Sequence, residues 1–578
     1  MSHTSSRLSL TDLESFARSS GTIHHDRTAS TVPGSFSSAT VGTVTCPTQR
    51  PATPADVWIA LTPPQTLALD DLLLIDSPGQ QLLGIVAELQ RVEDGTVHRT
   101  HAGRQQASTH TTWARLAILS SSDGRRRPPE GTTVRRPSPA EVTTLLAEAR
   151  RIPPERRVPL GVISLPDGFA PVYGHLDRLV GPTATSTLIS GAAGSLKSTA
   201  GALLITGLQQ ATRGQVALVL VNSKGNDFLF ADYGRQTWAQ KLDLPPLRPR
   251  DQAIYAAMGY AEPPVFARFT ALVPETDDPA WRSIRPRDFP RTQPYHLSYE
   301  SAIRHACSPT DEQEHPSSII TRQCIEEAAG PFARARKLRT LAELIDALEA
   351  EFLDLTSDRA RWRNQFQATT VAAALRQLRA TLRDLGPLVG AVGDAAAFPI
   401  TELARGGTWV VDVAPLPQRA AQAVLDDLIT ALWQAKAAGV IPHHLPLVLL
   451  VDELNRWTAT GPTAVRLAAI ARDQRHRRFS LVGLAQQLST LHPQLLANVD
   501  TFSIGNTRSQ ELAEDVYDHL PLHLRSQLHR LPEGQRVIDA WPFAQPLIVE
   551  VPFPSWLIAD EGLLVVEAWT ARRNPAAG

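Results

Sequence analysis

The residues most able to do chemistry lie between a stretch that reads as a buried strand, STLIS (186–190), and a helical one, AGALLITGLQQ. They read Gly191-Ala192-Ala193-Gly194-Ser195-Leu196-Lys197-Ser198-Thr199. A glycine-rich turn between a buried strand and a helix aims successive backbone N–H groups at an anion, and the helix dipole adds to them. In such a loop Lys197 meets the β- and γ-phosphates of a nucleoside triphosphate, and the Ser198 hydroxyl completes a Mg²⁺ shell. ATP and Mg²⁺ are the ligands this spacing calls for. Leu196 stands where the pattern has glycine, at a cost on the order of 1 to 2 kcal/mol if φ there is positive. Altered loop geometry or slow turnover is the expected consequence.

A second motif, Leu445-Pro-Leu-Val-Leu-Leu-Val-Asp452-Glu453, is an apolar run ending in two carboxylates. A buried strand delivers both acids at its C-terminal edge, where ligands collect in open α/β sheets. Asp452 then holds Mg²⁺ through water, and Glu453 orients and deprotonates the attacking water. The plain structural alternative for an Asp-Glu pair at this place is a helix N-cap. The next apolar run, FSLVGLA, leads into Gln486-Gln487, an amide suited to sensing the γ-phosphate or simply satisfied at a strand end. Arg472, Arg475, Arg477 and Arg478 precede that run and Arg508 follows TFSIGN. Any of them is a candidate arginine finger for a neighbouring subunit's nucleotide, or part of a solvated basic face.

These motifs need a sheet to hold them. The chain of 578 residues has room for several domains. Residues 1–38 lack apolar periodicity and read as a flexible tail. From 39 to 150, short apolar runs (VGTVTC, DVWIAL, DDLLLI, LLGIVAEL, WARLAIL) alternate with turn residues, which predicts a small β-barrel or sandwich. Residues 159–276 and 396–545 alternate buried strands with helices, the pattern of a parallel βαβ sheet. Between them, from about Asp277, strands are expected to stop and helical segments such as LAELIDALEAEFLDL form an insertion over 277–395. The last portion, GQRVIDAWPFAQPLIVEVPFP, reads as a strand pair leading into a C-terminal arm over 546–578.

Composition narrows the class without naming partners. The formal net charge is −1, so bulk charge points to neither nucleic acid nor membrane. Lysine occurs only at 197, 224, 241, 337 and 436, and the arginine bias is of the kind a GC-rich genome gives. Cys46, Cys307 and Cys324 are far apart with no C-x-x-C pair, which signals neither a zinc site nor a disulfide framework and fits a reducing cytoplasm. No apolar run reaches the ~18 residues that span a bilayer, so a cytoplasmic protein without a membrane partner is expected.

Taken together, a barrel, a P-loop, a helical insertion, an Asp-Glu strand and a Gln strand resemble the HerA-type translocases. These belong to the wider clan of FtsK motors and VirB4-type conjugation ATPases. The resemblance spans roughly residues 38–555 and is carried by VGTVTC, LLGIVAEL, TLISGAAGSLKST, VLLVDELNRW, ARDQRHRRFSLVGLAQQLSTLHPQLLANVDTFSIGNTRS and LPEGQRVIDAWPFAQPLIVEVPF. It implies a RecA-like α/β core with a parallel-rich sheet, a HAS-barrel-like N-terminal domain, and a homo-hexameric ring that hydrolyses ATP and moves double-stranded DNA. A NurA-type or other nuclease is the implied partner, in repair or phage defence. By residue match, Lys197 and Ser198 take the phosphate and metal roles, Asp452 and Glu453 the metal and base roles, Gln486 the sensor role, and Arg475 or Arg508 the finger.

The chain departs from that family at three places. Leu196 is one. Asn222-Ser-Lys224-Gly225-Asn226-Asp227 stands where the family has an acidic pattern close to D-x-x-G-E, with Asp227 able to replace one acid. Gln474 stands where glycine is usual, which shifts the registration of Arg475. Two other readings stay open: a nucleotide-binding scaffold ring with little turnover, and a conjugation or secretion ATPase of the VirB4 type. DNA contacts, if made, fall to arginines such as Arg456 and to the loop from Lys224 to Arg235. The clusters Arg125–Arg127 and Arg135–Arg136 face a collar, a partner or water.

Overall fold

The computed structural model of the chain describes residues 40–573 apart from 46–55, 94–109, 123–126, 148–151, 184–185, 226, 308–315, 354–360, 395–397, 459–461, 474 and 542. The expected tail 1–38, Asn226, Gln474, Arg125 and Arg126 lie outside the described residues.

Six strands close the N-terminal barrel: β1 (Thr40–Thr45), β2 (Asp56–Leu61), β3 (Leu72–Ser77), β4 (Gln80–Glu93), β5 (His110–Ser121) and β6 (Thr133–Arg135), in the order β1-β2-β5-β4-β3-β6. Alternation places Val57, Ile59, Leu73, Ile75, Leu116 and Ile118 in its interior. Gly42 lets β1 and β2 meet, since a Cβ there would stand 2.2 Å from the Ala60 carbonyl oxygen. Opposite positions, among them Leu72, Leu74, Leu83, Ile85 and Leu119, point outward and form a second core with the helix Pro139–Ala147.

The remaining chain builds a twelve-stranded sheet and a helical lobe. In chain order come β7 (Arg157–Leu165), β8 (Gly168–His175), β9 (Ser186–Ser190), β10 (Ala217–Asn222), β11 (Phe269–Pro274) and β12 (Thr292–Tyr295). The hairpin β13 (Arg361–Trp362) and β14 (Phe366–Gln367) belongs to the helical lobe. Next are β15 (Gly407–Asp412), β16 (Leu447–Val451), β17 (Phe479–Ala485), β18 (Val499–Ile504), β19 (Gln535–Ala540) and β20 (Leu547–Glu550). The sheet order is β12-β11-β15-β10-β16-β17-β9-β18-β19-β20-β7-β8. The stretch from β12 to β18 is parallel, and β19, β20, β7 and β8 extend it antiparallel.

Parallel strands covered on both faces need apolar side chains in both directions, and β9, β10, β16 and β17 are buried at every position. The helix Lys197–Ala211 covers one face through Leu203, Leu204 and Leu208 against Leu218, Leu220, Val448 and Leu450. Helices Gln418–Ala437 and Pro462–Asp473 cover the other, with Leu425, Leu428 and Leu467 against Val219, Val221, Leu449 and Leu481.

Two segments differ from the sequence expectation. Strands do not stop at Asp277, because β12 pairs in parallel with β11. The strand pair expected near the C-terminal end is β19 and β20, but β20, which the boundary at 545 left in the arm, is built into the sheet between β19 and β7. The helical lobe itself, with helices Tyr299–Ala306, Pro316–Glu327, Leu341–Leu353 and Ala368–Leu385, has its own core around Phe332, Leu344, Leu348, Trp362, Leu375 and Leu378. Among the described residues no helix is long and apolar enough to cross a membrane.

Candidate functional site

The loop after β9 leaves the sheet at its C-terminal edge. Gly191 (φ +144°) and Gly194 (φ +80°) take backbone shapes that side chains resist. Leu196 adopts φ 53° and ψ 39°, in the left-handed region. The positive φ on which the expected penalty depended is therefore present, and it costs about 1 to 2 kcal/mol. No side chain caps the helix that starts at Lys197, which leaves its first N–H groups to an anion. Lys197 Nζ donates to the carbonyl oxygens of Gly191 (2.9 Å) and Ala192 (3.0 Å). Burial lowers its pKa, and the charge of Arg536 lowers it further.

The acids reach the same place from β16. Because β17 runs between β9 and β16, the residue that follows it, Gln486, falls between the loop and the carboxylates. Asp452 is 6% exposed. Burial, then the nearby Asp227, push its carboxyl up to about 7. Its backbone oxygen accepts from Ser223 Oγ (2.8 Å) and Trp457 Nε1 (3.0 Å), which fixes the strand end. Glu453 has φ 48°, and its Oε1 accepts from Gln486 Nε2 at 2.9 Å and pairs with Lys224 Nζ at 3.3 Å. Ser198 Oγ donates to Asp227 at 2.6 Å. Lys197, Ser198, Asp227, Asp452, Glu453 and Gln486 all line one cleft of about 320 Å³, which Pro554 and Trp556 also line.

The donor set fits Mg²⁺. Among the described residues no three His, Cys, Asp or Glu side chains gather as a metal centre. A magnesium ion held on a triphosphate needs only one hydroxyl and one or two carboxylates beside phosphate oxygens and water, and Ser198, Asp452 and Asp227 supply those groups. Thr199 is buried at the start of the helix, and Ala193 and Ser195 complete the loop wall.

The remaining candidates lie elsewhere. Arg508 is exposed after β18 and does not line the cleft of its own chain. Arg475 begins the short turn Arg475–Arg477 ahead of β17, at the opposite edge of the sheet from the cleft. Arg456 is committed to its own chain, donating to the Ser223 carbonyl oxygen (3.1 Å) and lying 4.9 Å over the Trp457 ring. In the loop proposed for DNA, Lys224 is paired with Glu453 and Arg235 is buried against Glu561. Arg135 bonds Asp76 and Glu141, and Arg136 bonds Asp71.

Two residues of the site escaped sequence reasoning. Lys224 was read as a departure from an acidic pattern and as the start of a DNA-contact loop, and its link to Glu453 is tertiary. Arg536, on β19, is wholly buried and donates to the carbonyl oxygens of Ser195 (2.7 Å), Ser190 (2.6 Å) and Ser503 (2.7 Å). Nothing in QRVIDA separates this arginine from a solvent-facing one.

No family model and no curated protein matches the chain. It is similar to solved structures of the bacterial conjugative coupling protein TrwBdeltaN70 in its unbound form, at 14% identity, 74% of this chain, 93% of that chain and a TM-score of 0.43. The plasmid coupling protein TrwB in complex with ADP and Mg²⁺ follows at 14% identity, 72% and 95% coverage and a TM-score of 0.42. VirB4 of Thermoanaerobacter pseudethanolicus is similar at 12% identity, 68% and 96% coverage and a TM-score of 0.41. At these scores the likeness bears on no residue's role. The strand order, the loop after β9 and the acids after β16 are by themselves those of a P-loop α/β fold preceded by a closed barrel.

Proposed function

We propose that this chain is an ATP hydrolase that uses nucleotide turnover to move double-stranded DNA, acting as a homo-hexameric ring. The observation that supports it is the convergence of Lys197, Ser198, Asp452, Glu453 and Gln486, drawn from three separate strands, on one cleft at the C-terminal edge of a parallel sheet. Lys197 exchanges its loop carbonyls for phosphate oxygens, and the free N–H groups of the first helical turn hold the same anion. Ser198 and Asp452 hold Mg²⁺, which when bound offsets charge developing on the phosphates. Glu453 takes the proton of the attacking water, and Gln486, hydrogen-bonded to it, reports whether the third phosphate is present. Arg508 or Arg475 of a neighbouring subunit supplies the finger.

The setting admits two readings that share this motor. One is the HerA-type translocase with a NurA-type or other nuclease partner, supported by the motif resemblance and by the closed barrel ahead of the ATPase core. The other is a conjugation or secretion ATPase of the VirB4 type. A nuclease partner belongs only to the first. The test is hydrolysis of MgATP by the full chain with and without duplex DNA. A several-fold rise with duplex is expected; no turnover under either condition would leave a nucleotide-gated scaffold instead, a reading favoured by the left-handed Leu196.

A further inference from the structure

We infer that Arg536 is a positioning residue of the phosphate loop, holding from behind the turn that glycine would otherwise supply at position 196. The inference rests on the nucleotide-site reading above and deepens it.

Arg536 has no exposed surface. Its Nε donates to Ser503 Oγ at 2.7 Å, Nη1 to the Ser195 oxygen at 2.7 Å, and Nη2 to the oxygens of Ser190 at 2.6 Å and Ser503 at 2.7 Å. The guanidinium fork is thus spent on the loop and on β9 and β18, the strands that flank it. All these acceptors are uncharged, and among the described residues no carboxylate pairs with Arg536; burial alone lowers its pKa, to about 9. Burying an unmatched cation is costly. A polyphosphate in the cleft brings the negative charge that this guanidinium lacks.

The peptide between Ser195 and Leu196 explains the placement. A trans peptide carries its C=O and N–H on opposite sides of the plane. Drawing the Ser195 oxygen inward to Arg536 therefore turns the Leu196 N–H outward, toward the phosphates. Glycine reaches the required left-handed backbone unaided, whereas Leu196 does so at φ 53° with a side chain lying 3.8 Å from where a Cβ on Gly534 would stand. Gly534 is two residues before Arg536, so one segment both supports the Leu196 side chain and fastens the peptide ahead of it. Gly505 leaves room for this arrangement, since a Cβ there would come within 2.8 Å of Arg536 Nη1. Leu196 and Arg536 are then two halves of one substitution for a flexible loop.

The test measures affinity of the full chain for inorganic pyrophosphate and for MgADP, with ligand-free melting, in Arg536→Lys, Ser503→Ala and Leu196→Gly, singly and as the two doubles with Leu196→Gly. Arg536→Lys keeps the charge but not the fork, and pyrophosphate affinity should fall about tenfold. Ser503→Ala removes one acceptor of the fork and should lower it about threefold. Adding Leu196→Gly should restore most of either loss, without restoring the melting temperature. Should Arg536→Lys fail to fold, Ser503→Ala carries the same comparison. Unchanged pyrophosphate affinity in the Arg536 and Ser503 variants, or a loss that Leu196→Gly leaves in place, overturns the inference. A wild-type chain that binds neither ligand would instead defeat the nucleotide-site reading itself.

Discussion

Lys224 Nζ lies 3.3 Å from Glu453 Oε1, the same oxygen that accepts from Gln486. The candidate base is therefore held by a cation and an amide, on strands that flank its own. An oxygen already engaged by a cation and an amide is less free to accept from a water, and an arriving γ-phosphate is a stronger anion for Lys224 than Glu453 is. Lys224 is 65% exposed, so the pair contributes only ~0.2 to 1 kcal/mol. Lys224→Ala should raise DNA-free ATP hydrolysis about two- to fivefold and shrink the stimulation by duplex. A fall in turnover would show that Lys224 serves the phosphate, not the restraint of Glu453.

Glu453→Gln should reduce hydrolysis by about 10² to 10⁴-fold while MgATP binding survives. Gln486→Ala should lower turnover less and weaken the response to DNA more, because it removes a contact to the base and not the base itself. Equal hydrolysis by wild type and Glu453→Gln would remove Glu453 from the mechanism.

The Asp452 carboxyl, raised from the ordinary 3.8 to about 7 by burial and by Asp227, gives a pH dependence with a definite sign. A group whose folded pKa lies above its unfolded value stabilises fully below the unfolded pKa, and that contribution is lost as pH rises through about 7. Asp452→Asn should raise the melting temperature of ligand-free protein at pH 8, by on the order of 2 kcal/mol in stability, with the gain shrinking toward pH 5. Mg²⁺ must displace the proton, so Mg²⁺-dependent hydrolysis should climb between pH 6 and 8. Asp227→Asn removes a like charge and should move that climb to lower pH; a profile flat across this range, or a shift upward, would contradict the assignment.

If Arg508 serves a neighbour's nucleotide, Arg508→Ala and Glu453→Gln damage opposite sides of each interface. Each variant alone should be nearly inactive, and mixing the two should recover part of the hydrolysis through interfaces that receive an intact residue from each. The same experiment with Arg475→Ala decides between the two arginines. Hydrolysis by Arg508→Ala and Arg475→Ala at wild-type rate would place the finger elsewhere.

The parts of this arrangement legible in the sequence are those dictated by burial or by local spacing. STLIS, ALVLVN and LVLLV carry no charge and are buried at every position because both faces of their strands are covered, and the loop and acids follow the first and the last of them directly. β12 was not legible: TQPY is short, lies at the sheet edge and is only partly buried, so it carries no apolar run. Nor was the pairing of β20 with β7, which joins residues nearly four hundred positions apart through a single registered pair, Glu550 with Val162. Lys224 and Arg536 gain their meaning only from that three-dimensional assembly.

The strand that carries Arg536 also carries Ile538 and Ala540, two and four residues on and so on the same face. Those two belong to the apolar layer shared with Leu72, Leu83 and Leu119 of the barrel wall. Barrel and phosphate loop are thus clamped to a single rod. A displacement of the barrel wall has a direct route along β19 to the loop, ending one guanidinium away from the nucleotide cleft.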